Sequence, residues 1–373
     1  MKNKGFALND KISLRQMQAL LFLEIFGFGV TSLPRRVAEA AAQDGWIGVV
    51  VATLAAIMMV WVIADLGKRY AGVGTFYDFV GKLVSKPIGA LICLFYVVRL
   101  LIWAAFNLRI FAEIVQVTLL PTTPFIVIFG TMLALCAYGA SKGMEARGRM
   151  AEVLVLVALL PLIFVFGVSG REIDLTNLLP IMHASPGQLG KASFSAFFAF
   201  NGIDILLLMI PFLAHKKELK KRSIGVVATI GGFMIVITAA TIARFGQDAV
   251  TSYIWPVLKM MDTVNLPGQV LDRQGALMMT FWIISAYAVV KAALFFSSML
   301  LKDVVKRGTH FCYILACVPV IAILANIPNS LPQLYEFLDV YNHTFGVAAM
   351  VVIPLVLLAF AKLKKPKEAQ DAQ

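Results

Sequence analysis

The chain has 373 residues, of which 60% are hydrophobic and only 14% are charged, and its mean hydropathy is +0.84. Because about a quarter of the residues in soluble domains are charged, this composition excludes an ordinary soluble protein. A net charge of +12 would suggest nucleic-acid binding in a soluble chain, so the positions of the basic residues decide what it means.

Ten apolar runs follow one another along the chain, most of them near the roughly 20 residues that cross a bilayer as a helix. They cover residues 14–42, 46–67, 87–120, 124–139, 146–170, 187–214, 223–245, 274–301, 311–327 and 337–363. The first run is longer than the apolar region of a signal peptide and has no small-residue cleavage site, so we interpret it as a retained helix. We predict an all-α, multi-pass integral membrane protein with about ten transmembrane helices, forming a single domain over residues 1–373.

Most of the 33 lysines and arginines lie in the connections on one side of these spans, and Lys142, Arg147 and Arg149 are counted there. This asymmetry follows the positive-inside rule for an even number of spans with both termini in the cytoplasm. The basic residues therefore indicate topology, and no nucleic-acid partner is expected.

The first span is interrupted in its middle by residues 27–34, which read GFGVTSLP. Glycine destabilises a helix, and proline removes a backbone donor and clashes with the carbonyl four residues earlier. In a bilayer such a break survives only where it lines a cavity or is buried against protein. The break therefore predicts a binding site inside the membrane.

A second break lies five spans later, where Asn201, Gly202 and Asp204 follow a run of phenylalanines. Interrupted helices at corresponding positions of two five-helix halves indicate a transporter built from inverted repeats. The alternative is that Gly202 only lets two helices approach closely. We predict repeats over about 14–170 and 187–363, with helices one and six broken.

Several motifs resemble one known family over nearly the whole chain. They are residues 12–16 (ISLRQ), Gly29, Leu33-Pro34, residues 42–47 (AQDGWI), Trp255-Pro256, residues 271–273 (LDR) and Phe281-Trp282. Together they resemble the spore-germination permeases, the B-type subunits of bacterial germinant receptors. Arg35-Arg36 and the aspartate at Asp272 depart from that pattern, which leaves the fold expectation intact and the ligand identity open.

The resemblance implies the leucine-transporter (LeuT) fold of the amino acid–polyamine–organocation superfamily. It also implies a protein that senses an amino acid or a similar small germinant in complex with A-type and C-type subunits, in the inner spore membrane or the bacterial plasma membrane. A proton-coupled amino-acid transporter is the alternative, because a carrier and a sensor share one fold and one pocket. The resemblance favours the receptor.

An amino-acid ligand fits the residue types at both breaks. Its carboxylate would lie at the positive end of the outer half of span one, and its ammonium group beside carbonyls freed at the broken ends. The predicted ligand-binding residues are Gly27, Gly29, Thr31, Ser32, Phe200, Asn201 and Gly202.

Four ionisable residues share one predicted depth near the bilayer centre: Glu24, Asp204, Lys291 and Arg99. A lone charge there costs at least ~2.5 kcal/mol, so we expect these groups to pair or to face a cavity. Two interpretations of Lys291 remain open. Its ammonium group replaces a sodium ion between spans one and eight, with protonation of Glu24 or Asp204 as the coupling step, or it is a structural counter-ion to Glu24.

Enzymatic and metal-binding functions are not predicted. The four histidines form no two-histidine metal motif, the four cysteines have no paired metal spacing, and no phosphate-binding loop is present. His310 is expected to be solvated in a basic loop. No cofactor and no metal site are therefore expected.

Overall fold

The structure is a computed structural model that describes residues 10–68, 74–169, 173–262 and 274–363. Its α-helices are α1 (Leu14–Gly29), α2 (Leu33–Ala41), α3 (Gly45–Lys68), α4 (Phe76–Leu83), α5 (Lys86–Thr118), α6 (Phe125–Ala140), α7 (Gly143–Ser169), α8 (Pro186–Phe197), α9 (Ile205–Met209), α10 (Leu219–Ser252), α11 (Pro256–Asp262), α12 (Gln274–Val305), α13 (His310–Ala325), α14 (Leu331–Tyr341) and α15 (Ile353–Leu363). Two π-helical turns, Asn342–Gly346 and Ala348–Val352, join α14 to α15. Over these ranges the chain contains no β-strand, only an isolated bridge between Ile12 and Leu213.

Within the described part of the chain, six helical stretches are long and apolar enough to cross a membrane. They are Leu33–Gly67, Lys86–Thr118, Pro186–Phe212, Leu219–Ser252, Met279–Val305 and Leu331–Leu363, and the number rises to seven if the pair α6 and α7, bent by 120°, counts as one span. This confirms an all-α membrane protein. The count of ten spans and the two five-helix repeats stay predictions.

Two helices begin where the sequence supplies a capping box. The Ser13 side chain accepts a hydrogen bond from the Gln16 backbone amide, and the Gln16 side chain accepts one from the Ser13 amide, which fixes the start of α1. Ser185 and Gln188 do the same for α8. The Thr75 side chain caps α4 by accepting from the Asp78 amide. The LDR motif at 271–273 lies outside the described residues.

The first span is broken between α1 and α2. The chain leaves the helix after Gly29, turns through residues 30–32, and re-enters a helix at Leu33 with Pro34 in the first turn, where proline's missing amide is tolerated. The sixth span is broken between α8 and α9. A short 3-10 turn at Phe198–Phe200 is followed by extended Asn201 and by Gly202 at φ 112°, which favours glycine.

The face of the molecule where α1 begins, called the N-terminal face below, is closed by the segment before that helix. Ile12 donates its amide to the Phe212 carbonyl (2.8 Å) and accepts from the Ala214 amide (3.0 Å). Asp10 accepts from the Met144 amide at the start of α7 (2.6 Å). The ends of spans one, five and six are thereby held together.

The expectation of a solvated His310 is wrong. Its ring packs edge-on against Phe295, and its Nε2 lies 2.7 Å from the Ser298 hydroxyl oxygen. Histidine at the start of α13 therefore links that helix to α12.

Candidate functional site

The two broken spans contact each other at their breaks. A Cβ atom added to Gly29 would lie 2.3 Å from the Ala199 carbonyl oxygen, and one added to Gly202 would lie 2.9 Å from Cγ of Glu24. Any side chain at Gly29 would collide with backbone, so glycine is what lets spans one and six meet. The two breaks are thus in direct contact with each other.

A small cavity, called the inner cavity below, lies where the two breaks meet. Its volume is about 30 Å³, and it is lined by Gly29, Ser32, Leu33, Arg36, Trp103, Ser195, Phe198, Ala199, Leu338 and Asn342. That volume accommodates roughly one water molecule. Phe198, Leu338 and Trp103 are buried and make its walls apolar.

A larger cavity of about 540 Å³, called the vestibule below, lies beside the inner cavity. It is lined by Ser32, Arg35, Arg36, Glu39, Ser195, Ser252, Ile254, Leu331, Pro332, Tyr335 and Asp339. Ser32, Arg36 and Ser195 line both cavities and so form the neck between them. Across the vestibule, Arg36 forms an ion pair with Asp339 (3.3 Å), which links α2 to α14.

Half of the predicted contacts in span one belong to a different cavity. Gly27 and Thr31 line a space of about 20 Å³ with Asn107, Trp282 and Ser285, between the first, third and eighth spans. Gly27 lies two residues before Gly29 in α1, so the two residues face different sides of that helix, and Thr31 follows in the turn after it. Helical spacing was a signal in the sequence that could have separated Gly27 from Gly29.

The predicted residues of span six lie behind the inner cavity. Phe200 is fully buried and does not line it. Asn201 donates from Nδ2 to Oδ1 of Asn342 (3.3 Å), and Asn342 is a cavity wall residue. Gly202 packs against Glu24. Asn342 itself was not predicted, because nothing in the last apolar run marks where the π-helical turn begins.

Two of the four predicted central charges form an ion pair. Arg99 and Asp204 are both fully buried, and Nη2 of Arg99 donates to Oδ1 of Asp204 at 2.8 Å and to Oδ1 of Asn201. Lys291 is also buried, but its Nζ lies 3.3 Å from the Met150 sulfur and 4.3 Å from the centre of the Tyr287 ring. Among the described residues Lys291 and Glu24 form no ion pair, so the two groups interact only at longer range.

A third buried base, Arg147, was missed by sequence reasoning. It is 1% exposed, and its guanidinium lies 4.4 Å from the ring centre of Phe295 and 5.1 Å from that of Phe296. Arg147 was counted with a basic connection between spans, and that placement is wrong, because α7 begins at Gly143 and Arg147 is buried within it. The side of the membrane assigned to it stays a prediction.

The described residues contain no group of three or more histidine, cysteine, aspartate or glutamate side chains that could hold a metal ion. The inner cavity offers apolar walls with three neutral polar side chains, Ser32, Ser195 and Asn342. Arg36 lies at its neck, and a buried ion pair lies behind the wall. Such a lining suits reversible binding of a small polar molecule.

Comparison with known proteins identifies the family. The family model described as spore germination protein matches residues 11–334. The chain belongs to the spore germination protein family. Its curated relatives include Bacillus subtilis spore germination protein YndE, 24% identical over 97% of this chain and 99% of the relative. They also include spore germination protein A2 of the same species, 23% identical over 95% and 96%, and Bacillus cereus spore germination protein GerQB, 23% identical over 97% and 100%.

The match confirms the resemblance carried by the motifs of the first and eighth spans, and it covers both breaks. The spore germination family is a family of membrane proteins of receptor and permease type and not an enzyme family. The comparisons leave open what this member binds.

Proposed function

We propose that this chain is the membrane subunit of a spore germinant receptor and that it binds an amino acid or a similar small germinant where helices one and six are broken. Family membership supports the receptor role. The location of the site rests on one observation: the two breaks meet at the inner cavity, and a shared neck connects this cavity to the vestibule.

The lining suggests how each end of an amino acid is held. Arg36 at the neck and the N-terminal end of α2 at Ser32 would attract the carboxylate, because a guanidinium and a helix N-terminus both carry positive charge. The ammonium group would meet carbonyl groups near Phe200 and the side chain of Asn342. Gly29 provides the close approach, and Gly202 and Asn201 support the wall.

The inner cavity has to enlarge when the ligand binds. A volume of about 30 Å³ holds roughly one water molecule, so an amino acid requires outward movement of Phe198 or Leu338. Two interrupted helices that meet at the cavity provide an element able to make that movement. Binding would therefore change the shape that partner subunits contact.

The test is ligand-dependent thermal unfolding of the purified protein with a panel of amino acids and nucleosides. A ligand at 100 times its Kd adds about 2.7 kcal/mol of stability. We expect one amino acid, and more weakly its close analogues among the amino acids, to stabilise the wild type and to have no effect on Ser195→Phe, which fills the neck. Ser252→Phe is the matched control, because Ser252 lines the vestibule but not the inner cavity.

Two results would contradict this proposal. Stabilisation that survives in Ser195→Phe would put the ligand elsewhere. The absence of any stabilising ligand in a folded protein would contradict binding by this chain alone.

A proton-coupled amino-acid transporter is the second candidate, and one observation favours it. A cavity of about 200 Å³, lined by Leu208, Phe212, Phe296 and Met299 among others, lies on the N-terminal face, so cavities flank the closed centre on both sides. Glu24 and Asp204 would then carry the coupling proton. Uptake of the stabilising amino acid into vesicles, with and without a proton gradient, separates the carrier from the sensor.

We further propose that A-type and C-type subunits are the partners, that the protein lies in the inner spore membrane, and that both termini are cytoplasmic. The names of relatives such as spore germination proteins A2 and GerQB are consistent with membership in multi-subunit receptors. Co-purification of the tagged chain from spore membranes tests the partners.

A further inference from the structure

Arg99 holds both ends of the break in the sixth span. One nitrogen, Nη2, donates to Oδ1 of Asn201, the first residue after the 3-10 turn, and to Oδ1 of Asp204, the residue before α9. The intervening Gly202 has a φ of 112°. A single side chain from α5 thus fixes the distance across the non-helical residues.

The same hydrogen bonds continue to the wall of the inner cavity. Asn201 donates to Asn342, and Asn342 begins the π-helical turn of the last span. Tyr341, the residue before it, donates its hydroxyl to the Arg99 carbonyl (3.4 Å) and stacks on Trp103 at 5.6 Å. Trp103 and Asn342 both line the inner cavity, so the third, sixth and last spans form a closed ring around Arg99.

We propose that Arg99 is a positioning residue that couples the cavity wall at Asn342 to the break of the sixth span. A molecule that displaces Asn342 alters the Asn201 contact and thereby the hold of Arg99 on Asp204. Arginine suits this position because its side chain is longer than that of lysine and the two hydrogens on Nη2 serve both acceptors. A lysine ammonium at the same position would end short of them. The consequence for ligand binding rests on the proposed function, while the coupling itself does not.

The test compares Arg99→Lys with Arg109→Lys in the purified full-length protein. Both residues lie on α5 and both form an ion pair, but Arg109 pairs with Glu113 of its own helix. Hydrogen–deuterium exchange is measured over residues 198–207 and 342–352. We expect Arg99→Lys to accelerate exchange at least tenfold in both segments and Arg109→Lys to leave both unchanged.

Asn342→Ala is the second variant, and it keeps the coupling testable if Arg99→Lys does not fold. It removes the cavity end of the ring and leaves the Arg99–Asp204 pair in place. Accelerated exchange over 198–207 in Asn342→Ala supports the coupling. Unchanged exchange in that segment overturns it, whatever happens at 342–352.

A binding measurement adds a readout that a purely structural role would not change. Wild type, Arg99→Lys and Arg109→Lys are each titrated with the two amino acids that stabilise the wild type most. We expect the ratio of the two affinities to change at least fivefold in Arg99→Lys only, and an unchanged ratio would overturn the positioning role. If no amino acid binds the wild type, the proposed function fails, and the exchange experiment still decides the coupling.

Discussion

Gly29 matters because of what lies opposite it, since the Ala199 carbonyl occupies the place of a side chain. Not every glycine of this chain is confined in this way. An added Cβ at Gly232, on the exposed side of α10, meets nothing within 4 Å. Glycine thus permits a close contact between two helices at position 29, whereas at position 232 it has no packing role within this chain.

Substitution of these two glycines by alanine is expected to have opposite effects. Gly29→Ala should lower the free energy of unfolding by about 1–3 kcal/mol, because overpacking forces spans one and six apart. Gly232→Ala should raise it by up to about 1 kcal/mol, because alanine is the better helix former. Thermal unfolding of both variants in the same detergent is the measurement, and equal effects would contradict the contact.

The ion pair between Arg99 and Asp204 is expected to be the most sensitive charge interaction. Asp204→Asn should destabilise the protein by about 3–5 kcal/mol, because it leaves a buried arginine without its counter-charge. Glu113→Gln removes a pair of similar length (2.8 Å) whose side chains are 15% and 21% exposed, and should cost about 1 kcal/mol or less. Denaturation midpoints that fall equally in the two variants would show that burial does not distinguish them.

Lys291 remains the candidate for a permanent replacement of a bound cation. Lys291→Ala is expected to gain sodium-dependent ligand binding. Lys302→Ala, at an exposed position near the end of the same helix, is expected to change nothing. Binding of the stabilising amino acid is measured in sodium and in choline buffer. A folded Lys291→Ala protein with unchanged, sodium-independent binding contradicts the replacement.

At the scale of elements, the breaks and the helices around them have different structural roles. Apolar helices α3, α5 and α10 supply the continuous spans, whereas the residues next to the short helices α2 and α9 place polar groups in the interior, namely Ser32, Asn201 and Asp204. Helix α2 also carries Arg36 to the neck, where its ion pair with Asp339 bridges the first and last spans. This pair is therefore placed to control passage between vestibule and inner cavity.

Asp339→Asn is expected to open the neck. Loss of the ion pair frees Arg36, so a cysteine placed at Ser195 in a Cys312→Ser background should react several times faster with a water-soluble thiol reagent. Glu39→Gln is the matched control, since Glu39 pairs with Arg35 within α2 and bridges no helices. Equal rates in the two variants would show that the pair does not restrict access.

At the scale of the whole molecule, the sequence predicted the elements better than the assembly of the site. Glycine, proline and the capping residues act within one turn, so both breaks and the starts of α1 and α8 could be located from sequence. Which cavity Gly27 or Gly29 faces depends on how helices are rotated against each other. Arg147 was misassigned for the same reason, because its burial follows from packing against α12 and not from its basic neighbours Lys142 and Arg149.

The orientation of the protein in the membrane is also a property of the whole chain. It can be measured by labelling one native cysteine. Cys312 is exposed near the start of α13, whereas Cys93, Cys136 and Cys317 are buried. If the N-terminal face is cytoplasmic, a membrane-impermeant maleimide should label the protein in inside-out vesicles and not in intact cells. Ser252→Cys in a Cys312→Ser background should give the reverse, because Ser252 lines the vestibule on the opposite face. Labelling of Cys312 in intact cells would invert the topology and turn the vestibule toward the cytoplasm, where it could not receive a germinant arriving from outside.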